Sequence, residues 1–215
     1  MYQYVLFDLD GTLTDPMLGI TNSVMYALEK FGIHEEDRTK LFKFIGPPLR
    51  DSFENFYGFD PEQSEQAVKY YRENYSVKGL YENEVYEEIE DCLKALKDKG
   101  CHLIVATSKP EEFAVKIIEH FHLDPYFDYV AGATMDQTRN RKADVIAYAL
   151  DSCHVTDRSQ AVMVGDREHD IFGAAEIGID SIGVLFGYGN REELEAAGAS
   201  YIAETPMGIL PYVIE

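Results

Sequence analysis

Apolar residues fall in short uninterrupted runs along most of this chain, and between the runs they return at every third or fourth position. The run Tyr4-Val5-Leu6-Phe7 is too short for a helix and rich in bulky residues, which suits a strand buried on both faces. Similar runs in HLIVATS, YVAG, QAVMVGD, SIGVLF and ASYIA each predict a strand. Between them, Glu87 to Lys99, EEFAVKIIEHF, KADVIAYAL and the stretch from Ile171 to Ile177 keep helical spacing. In the first of these, Ile89, Cys92, Leu93 and Leu96 share one face, and Gly100 ends it. Strands separated by helices of this length call for an α/β fold, a doubly wound, Rossmann-like core with a parallel sheet covered on both faces.

One stretch breaks the alternation. From about Pro16 to Leu80 strand signals vanish. Ile20, Val24, Ala27, Leu28 and Phe31 recur at helical spacing up to Gly32. Phe53, Phe56 and Tyr57 suggest a second helix closed by Gly58, and Glu62 to Tyr75 a third with Ala67, Val68 and Tyr71 apolar. The expected organisation is a core of residues 1–15 and 81–215 with a helical insertion, residues 16–80, after the first strand. The chain enters the insertion through TDPMLG and leaves near SVKGLYENEVY. The aromatic positions Phe53, Phe56 and Tyr57 read as its packing core.

Composition narrows the function classes. The 215 residues suit one large domain, or a core with a smaller insertion, and 46% hydrophobic content supports a sizeable core. Nineteen basic against 39 acidic residues give a formal charge of −20, which argues against binding a nucleic-acid polymer. Most of that charge reads as solvated surface. Cys92, Cys101 and Cys153 form no CxxC pair and read as reduced thiols packed near apolar faces. Asp8 and Asp10 stand where a secretory leader would carry its apolar segment, and no apolar run approaches the roughly eighteen residues that span a bilayer. A cytoplasmic protein without membrane contact is expected. His120 and His122 are two apart, which is no helical ligand spacing, and read as helix-end residues.

The remaining signal is in carboxylates. In a doubly wound sheet, ligands collect at the carboxyl ends of the strands. The first strand delivers Asp8 and Asp10 there, followed by a sharp turn at Gly11-Thr12. HLIVATSKP delivers Thr107, Ser108 and Lys109, and QAVMVGDREHD delivers Asp166 with Asp170 four residues on. Lys142 opens KADVIAYAL and can sit at the same edge. Two neighbouring carboxylates repel unless a cation or proton lies between them, and carboxylates with a substrate phosphate are what Mg2+ prefers. Each residue alone has an ordinary reading. Asp10 could cap the turn, Thr107 could end a strand, Lys142 could be solvated, and Asp170 suits any helix N-terminus. Their shared destination is what points to chemistry.

These residues carry a family resemblance. VLFDLDGTLTD resembles the first motif of the haloacid dehalogenase superfamily, LIVATSKP the second, Lys142 in RNRKADVIAYAL the third, and VMVGDREHDIFGAA the fourth. Order and spacing match over essentially the whole chain, and the insertion is similar to the family's cap domain. IGPPLRDSF, ATSKP and IGVLFGYGNREEL resemble the phosphoglycolate phosphatase and bacterial 5′-nucleotidase branch. The resemblance implies that Asp8 is the nucleophile, forming an aspartyl-phosphate, and that Asp10 is the acid and base. It implies Mg2+ held by the Asp8 carboxylate, the Asp10 backbone carbonyl, Asp166 and Asp170. Thr107 would hydrogen-bond a phosphoryl oxygen, and Lys142 would pair with Asp8. Ser108, Lys109 and Arg50, the last beside the Gly-Pro-Pro loop of the insertion, are candidate substrate contacts.

The implied partner is a small phosphate monoester, such as phosphoglycolate or a 5′-nucleotide, bound by a monomer or homodimer. Within the superfamily, Asp10 separates phosphatases and phosphomutases from dehalogenases and transport ATPases. Thr12 tilts the choice towards phosphatases and leaves a sugar phosphomutase as the alternative. A non-catalytic phosphate-binding protein would be expected to have lost a catalytic residue, and none is lost.

Overall fold

The computed structural model describes every residue except Gln137 and Glu215. The chain divides into two compact units, Met1–Thr14 with Val85–Glu215, and Asp15–Glu84. Along the chain, β1 (Tyr4–Phe7) and the two-residue β2 (Thr14–Asp15) precede α1 (Met17–Lys30), α2 (Leu49–Tyr57) and α3 (Pro61–Asn74). A second two-residue strand, β3 (Glu84–Val85), pairs with β2. Then follow α4 (Ile89–Asp98), β4 (His102–Pro110), α5 (Glu111–His120), β5 (Tyr129–Ala133) and α6 (Lys142–Ser152). The chain closes with β6 (Ala161–Gly165), α7 (Glu168–Ile177), β7 (Asp180–Val184), α8 (Arg191–Ala196), β8 (Tyr201–Ala203) and α9 (Leu210–Ile214).

In the larger unit, six strands form one sheet in the order β5-β4-β1-β6-β7-β8, and every neighbouring pair is parallel. This is the doubly wound α/β core that the alternation of runs predicts. Val5, Leu6 and Phe7 are all fully buried, as are Leu103 to Ala106 and Val162 to Val164, so both faces of the central strands are covered. Leu6, Ile104, Ala106, Ala131 and Met163 pack with Val145, Ile146, Ala149 and Leu150 of α6. The chain moves outward from β4 to β5 through α5 and returns across the sheet to β6 through α6. Right-handed crossovers in opposite directions put these two helices on opposite faces. The direction of winding therefore reverses between β1 and β6, and their carboxyl ends flank the crevice where such folds bind ligands.

The smaller unit is helical. Ile20, Val24, Ala27 and Leu28 of α1 are buried, as are Phe53 of α2 and Ala67, Val68 and Tyr71 of α3. A 3-10 segment, Arg38–Phe44, was not legible in the spacing and adds Leu41 and Phe44 to this core. Phe44 lies 5.1 Å from Phe53 and 5.4 Å from Phe56 between ring centroids, so these aromatics pack on one another. Pro61 opens α3 behind a capping box in which Asp60 and Gln63 exchange hydrogen bonds of 2.8 and 3.0 Å. No helix among the described residues is long and apolar enough to cross a membrane.

Candidate active site

Parallel register lines up three strand ends. Phe7 lies beside Val105 on one side and Val164 on the other. Asp8 follows the first directly, Thr107 to Lys109 follow the second, and Asp166 follows the third. The Asp8 amide donates to the Val164 carbonyl at 2.9 Å, so the ladder holds the backbone up to the carboxylate itself. Beyond it the chain turns sharply. The amides of Thr12, Leu13 and Thr14 all point at the Leu9 carbonyl, at 3.3, 2.9 and 3.0 Å. Gly11 carries the left-handed backbone (φ +83°), and a Cβ there would lie 2.3 Å from the Asp166 carboxylate. Only glycine satisfies both demands. On β4, the pairing with β5 shifts register between Ala106 and Pro110, an irregularity that re-aims Thr107, Ser108 and Lys109.

Asp8, Asp166 and Asp170 are all buried, and one carboxylate oxygen from each lies within 4.8 Å of the others. Lys142 opens α6, an end of a helix that disfavours a cation. The carboxylates hold it there instead: its Nζ lies 2.9 Å from Asp8 Oδ1 and 2.8 Å from Asp170 Oδ1, and donates to the Ala106 carbonyl at 3.1 Å. These are ion-pair distances, yet neither carboxylate oxygen accepts a well-directed hydrogen bond. Three ionised carboxylates against one ammonium would leave two negative charges uncompensated. Burial pushes the Asp166 pKa well above the usual range, and repulsion from Asp170 and Asp8 adds to it. Burial also raises Asp170, with Lys142 opposing. For Lys142 burial works downward, but Asp170 and Asp8 outweigh it and the pKa ends raised.

Asp10 has a different neighbour. Lys109 Nζ lies 2.7 Å from Asp10 Oδ1 and 2.6 Å from Oδ2, with both side chains almost wholly shielded from water. Burial raises the Asp10 pKa, and Lys109 acts against that rise. The Lys109 amide donates to Thr107 Oγ1 at 3.2 Å, which leaves the Thr107 hydroxyl proton available for another acceptor. Ser108 is half-buried between them. Arg50 belongs to the helical unit, where its Nε pairs with Glu54 one turn along α2 at 3.0 Å.

Several supporting contacts are not legible in the sequence. Thr12 Oγ1 reaches Asp166 Oδ1 at 3.4 Å, and the Tyr188 amide donates to Asp166 Oδ2 at 2.8 Å. Gly187 and Gly189 flank Tyr188, and a Cβ at either would meet Asp166 within 2.4 Å. The string GYG after a strand was the available signal. Arg139 braces the loop before Lys142, with hydrogen bonds to the Gly132 carbonyl at 2.9 Å and Glu111 at 3.0 Å, and stacks on Tyr148.

The donor set fits a hard divalent cation. It offers three clustered carboxylates, two of them with oxygens lacking a directed hydrogen bond, and two charges in need of compensation. The model of the haloacid dehalogenase-like hydrolases matches residues 5–184. The chain belongs to that family. Among members of known sequence, a 5′-nucleotidase of Pseudomonas aeruginosa is 47% identical over 195 residues, 91% of this chain and 88% of that protein. PtkA of Mycobacterium tuberculosis, a tyrosine-protein kinase by name, is 38% identical over 200 residues, 93% of this chain and 68% of that protein. The crystal structure of a predicted phosphatase from Clostridium acetobutylicum superposes with a TM-score of 0.96 at 48% identity, covering 100% of this chain and 99% of that one. This haloacid dehalogenase-like hydrolase thus shares its whole fold with a solved relative.

Proposed function

We propose that this haloacid dehalogenase-like phosphatase hydrolyses small phosphate monoesters, a 5′-mononucleotide or phosphoglycolate foremost, through an aspartyl-phosphate on Asp8. The observation that carries the reading is the buried Asp8 carboxylate, held 2.9 Å from Lys142 at the end of β1 beside Asp166 and Asp170. Asp8 attacks phosphorus in line as the ester P–O bond breaks, which splits a difficult hydrolysis into two displacements. Asp10 gives its proton to the leaving oxygen, then takes one from the water that cleaves the Asp8–phosphorus bond. Lys142 holds Asp8 aimed, and offsets charge that develops on the phosphoryl oxygens. Thr107 donates its hydroxyl proton to one of those oxygens, with Ser108 and the amides near Asp10 completing the cradle. Asp8, Asp166, Asp170 and the Asp10 backbone carbonyl would hold Mg2+. Bound there, the ion would neutralise repulsion between nucleophile and phosphate and orient the phosphoryl group.

The helical unit is assigned the role of a cap that excludes water and favours small leaving groups. Arg50 would read an anionic part of the substrate. Its exposed pair with Glu54 is weak enough to exchange for such a partner. Thr12, on which the resemblance tilts towards a phosphatase over a phosphomutase, is buried and turned to Asp166. Its contact therefore bears on the metal cluster and leaves acceptor choice to experiment. The test is phosphate release from AMP, UMP and phosphoglycolate in Mg2+, set against isomerisation of a hexose 1-phosphate. Hydrolysis that is lost in Asp8→Asn supports the reading. Isomerisation without phosphate release, or near-normal hydrolysis by Asp8→Asn, overturns it.

A further inference from the structure

We propose that Lys109 is a positioning residue for Asp10 and acts through that carboxylate, not on the substrate. The inference rests on the reading of Asp10 as the acid and base. Both Asp10 oxygens lie within 2.7 Å of the Lys109 ammonium, so one buried charge is shared by the two oxygens and holds the carboxylate in place. The two side chains are 5% and 13% exposed. Lysines in the surface ion pairs of Lys40, Lys69 and Lys94 are at least 60% exposed, so this degree of burial sets Lys109 apart. A buried lysine is tolerated when it is paired. A Lys109 that turned away to bind substrate would leave Asp10 buried without it.

The backbone is shaped for this pairing. The register shift between Ala106 and Pro110 turns the segment out of the regular ladder, and the Lys109 amide bonds Thr107 Oγ1 at 3.2 Å. The same turn thus orders the phosphate-binding hydroxyl and the lysine that holds Asp10. Chemically, Asp10 must present an oxygen first to the leaving group and then to water. When the ester bond breaks and the Asp8–phosphorus bond forms, the proton moves from Asp10 to the leaving oxygen and Asp10 becomes an anion. Lys109 is placed to hold that anion in position until it takes a proton from the incoming water. A fixed neighbouring charge of this kind needs no reorganisation during the step.

The proposal separates from substrate binding by leaving-group dependence. A poor leaving group needs the acid, and a good one scarcely does. The experiment compares kcat/KM of wild type, Lys109→Met, Asp10→Asn and the double variant in Mg2+. The substrates are p-nitrophenyl phosphate, phenyl phosphate and glycerol phosphate, and kcat/KM reports only the first displacement. Lys109→Met is expected to lose about 100-fold on glycerol phosphate and less than about tenfold on p-nitrophenyl phosphate. In the Asp10→Asn background the same substitution should cost less than about threefold on any ester, because the group it positions is already gone. The double variant leaves no unpaired charge at this pair, so it keeps the test open if Lys109→Met alone fails to fold. Equal losses on all three esters, or losses that multiply in the double variant, overturn the proposal. An Asp10→Asn loss that is itself independent of leaving group removes the acid role, and the proposal with it.

Discussion

Replacing Lys142 by methionine removes the ammonium shared by Asp8 and Asp170 and keeps a side chain of similar length. In the native protein the Lys142 side chain is 4% exposed, and its ammonium lies 2.9 and 2.8 Å from the two carboxylates. Breaking a buried ion pair by deleting one partner costs about 3–5 kcal/mol, because the other charge stays buried and uncompensated. For a chain of this size each kcal/mol shifts the melting temperature by about 2–4 °C, so metal-free Lys142→Met should melt roughly 6–20 °C below wild type. Mg2+ should return part of the loss, since it neutralises the same oxygens; saturation at a hundred times Kd contributes about 2.7 kcal/mol. Activity should fall about 10²–10³-fold even in saturating Mg2+, the loss typical of one charge-stabilising donor. The assays are circular-dichroism melts in chelator and in Mg2+, with phosphate release alongside. A metal-free variant that melts within about 2 °C of wild type would refute the account of Lys142 as the counter-charge.

Asp166 gives a pH test. Its native pKa is raised by burial and by the neighbouring carboxylates, so between the unfolded and the native pKa the metal-free native state holds a proton that the unfolded chain has released. The stability from this group is full below the unfolded carboxylate pKa and fades as pH rises through the native value. Metal-free wild type should therefore gain on Asp166→Asn as pH falls from 8 towards 4 in paired thermal melts, and a flat difference would contradict the assignment. Gly187→Ala puts a Cβ 2.2 Å from the Gly11 carbonyl oxygen and 2.4 Å from Asp166 Cβ. It should cost about 1–3 kcal/mol and raise the Mg2+ concentration for half-maximal activity; an unchanged Mg2+ requirement would count against the cradle. Burial pushes the Cys92 thiol up to about 12, with Glu88 adding to the rise. Peptide mapping after iodoacetamide treatment of the folded protein should find Cys153 labelled well before Cys92, and equal labelling would disprove the shielding.

The strand ends were legible because an apolar run and the polar residue that breaks it are both local signals. Asp8, Thr107 and Asp166 each follow such a run directly, and parallel register does the rest. Contacts between distant segments were not legible. Lys109 and Asp10 are 99 positions apart, and linear spacing gives no sign of which way an ammonium two residues past Thr107 will turn. Gly187 and Gly189 owe their identity to the approach of Asp166, which exists only once β6 and the segment after β7 are side by side. The Arg38–Phe44 segment has a tighter 3-10 winding, so its apolar residues miss the 3.6-residue period. Arg50 is the opposite case: Glu54 four residues on is a partner that the spacing alone supplies.

Two aspartates two residues apart on a continuing strand would face the same side and share one environment. Here the ladder stops at Asp8, and the turn around the Leu9 carbonyl carries Asp10 out of the sheet before its side chain is placed. As a result the two carboxylates face different ammonium groups, Lys142 for Asp8 and Lys109 for Asp10. Their other neighbours differ as well. Asp8 lies beside Asp166 and Asp170, in the carboxylate cluster that fits a cation. Asp10 is outside that cluster, and burial raises its pKa against the pull of Lys109, which suits the acid and base role proposed for it. Pairs of like groups set in unlike surroundings divide acid–base and nucleophilic work between them. The turn at Gly11 would thus let one short motif supply both proposed roles, and it is the same turn whose glycine leaves room for Asp166.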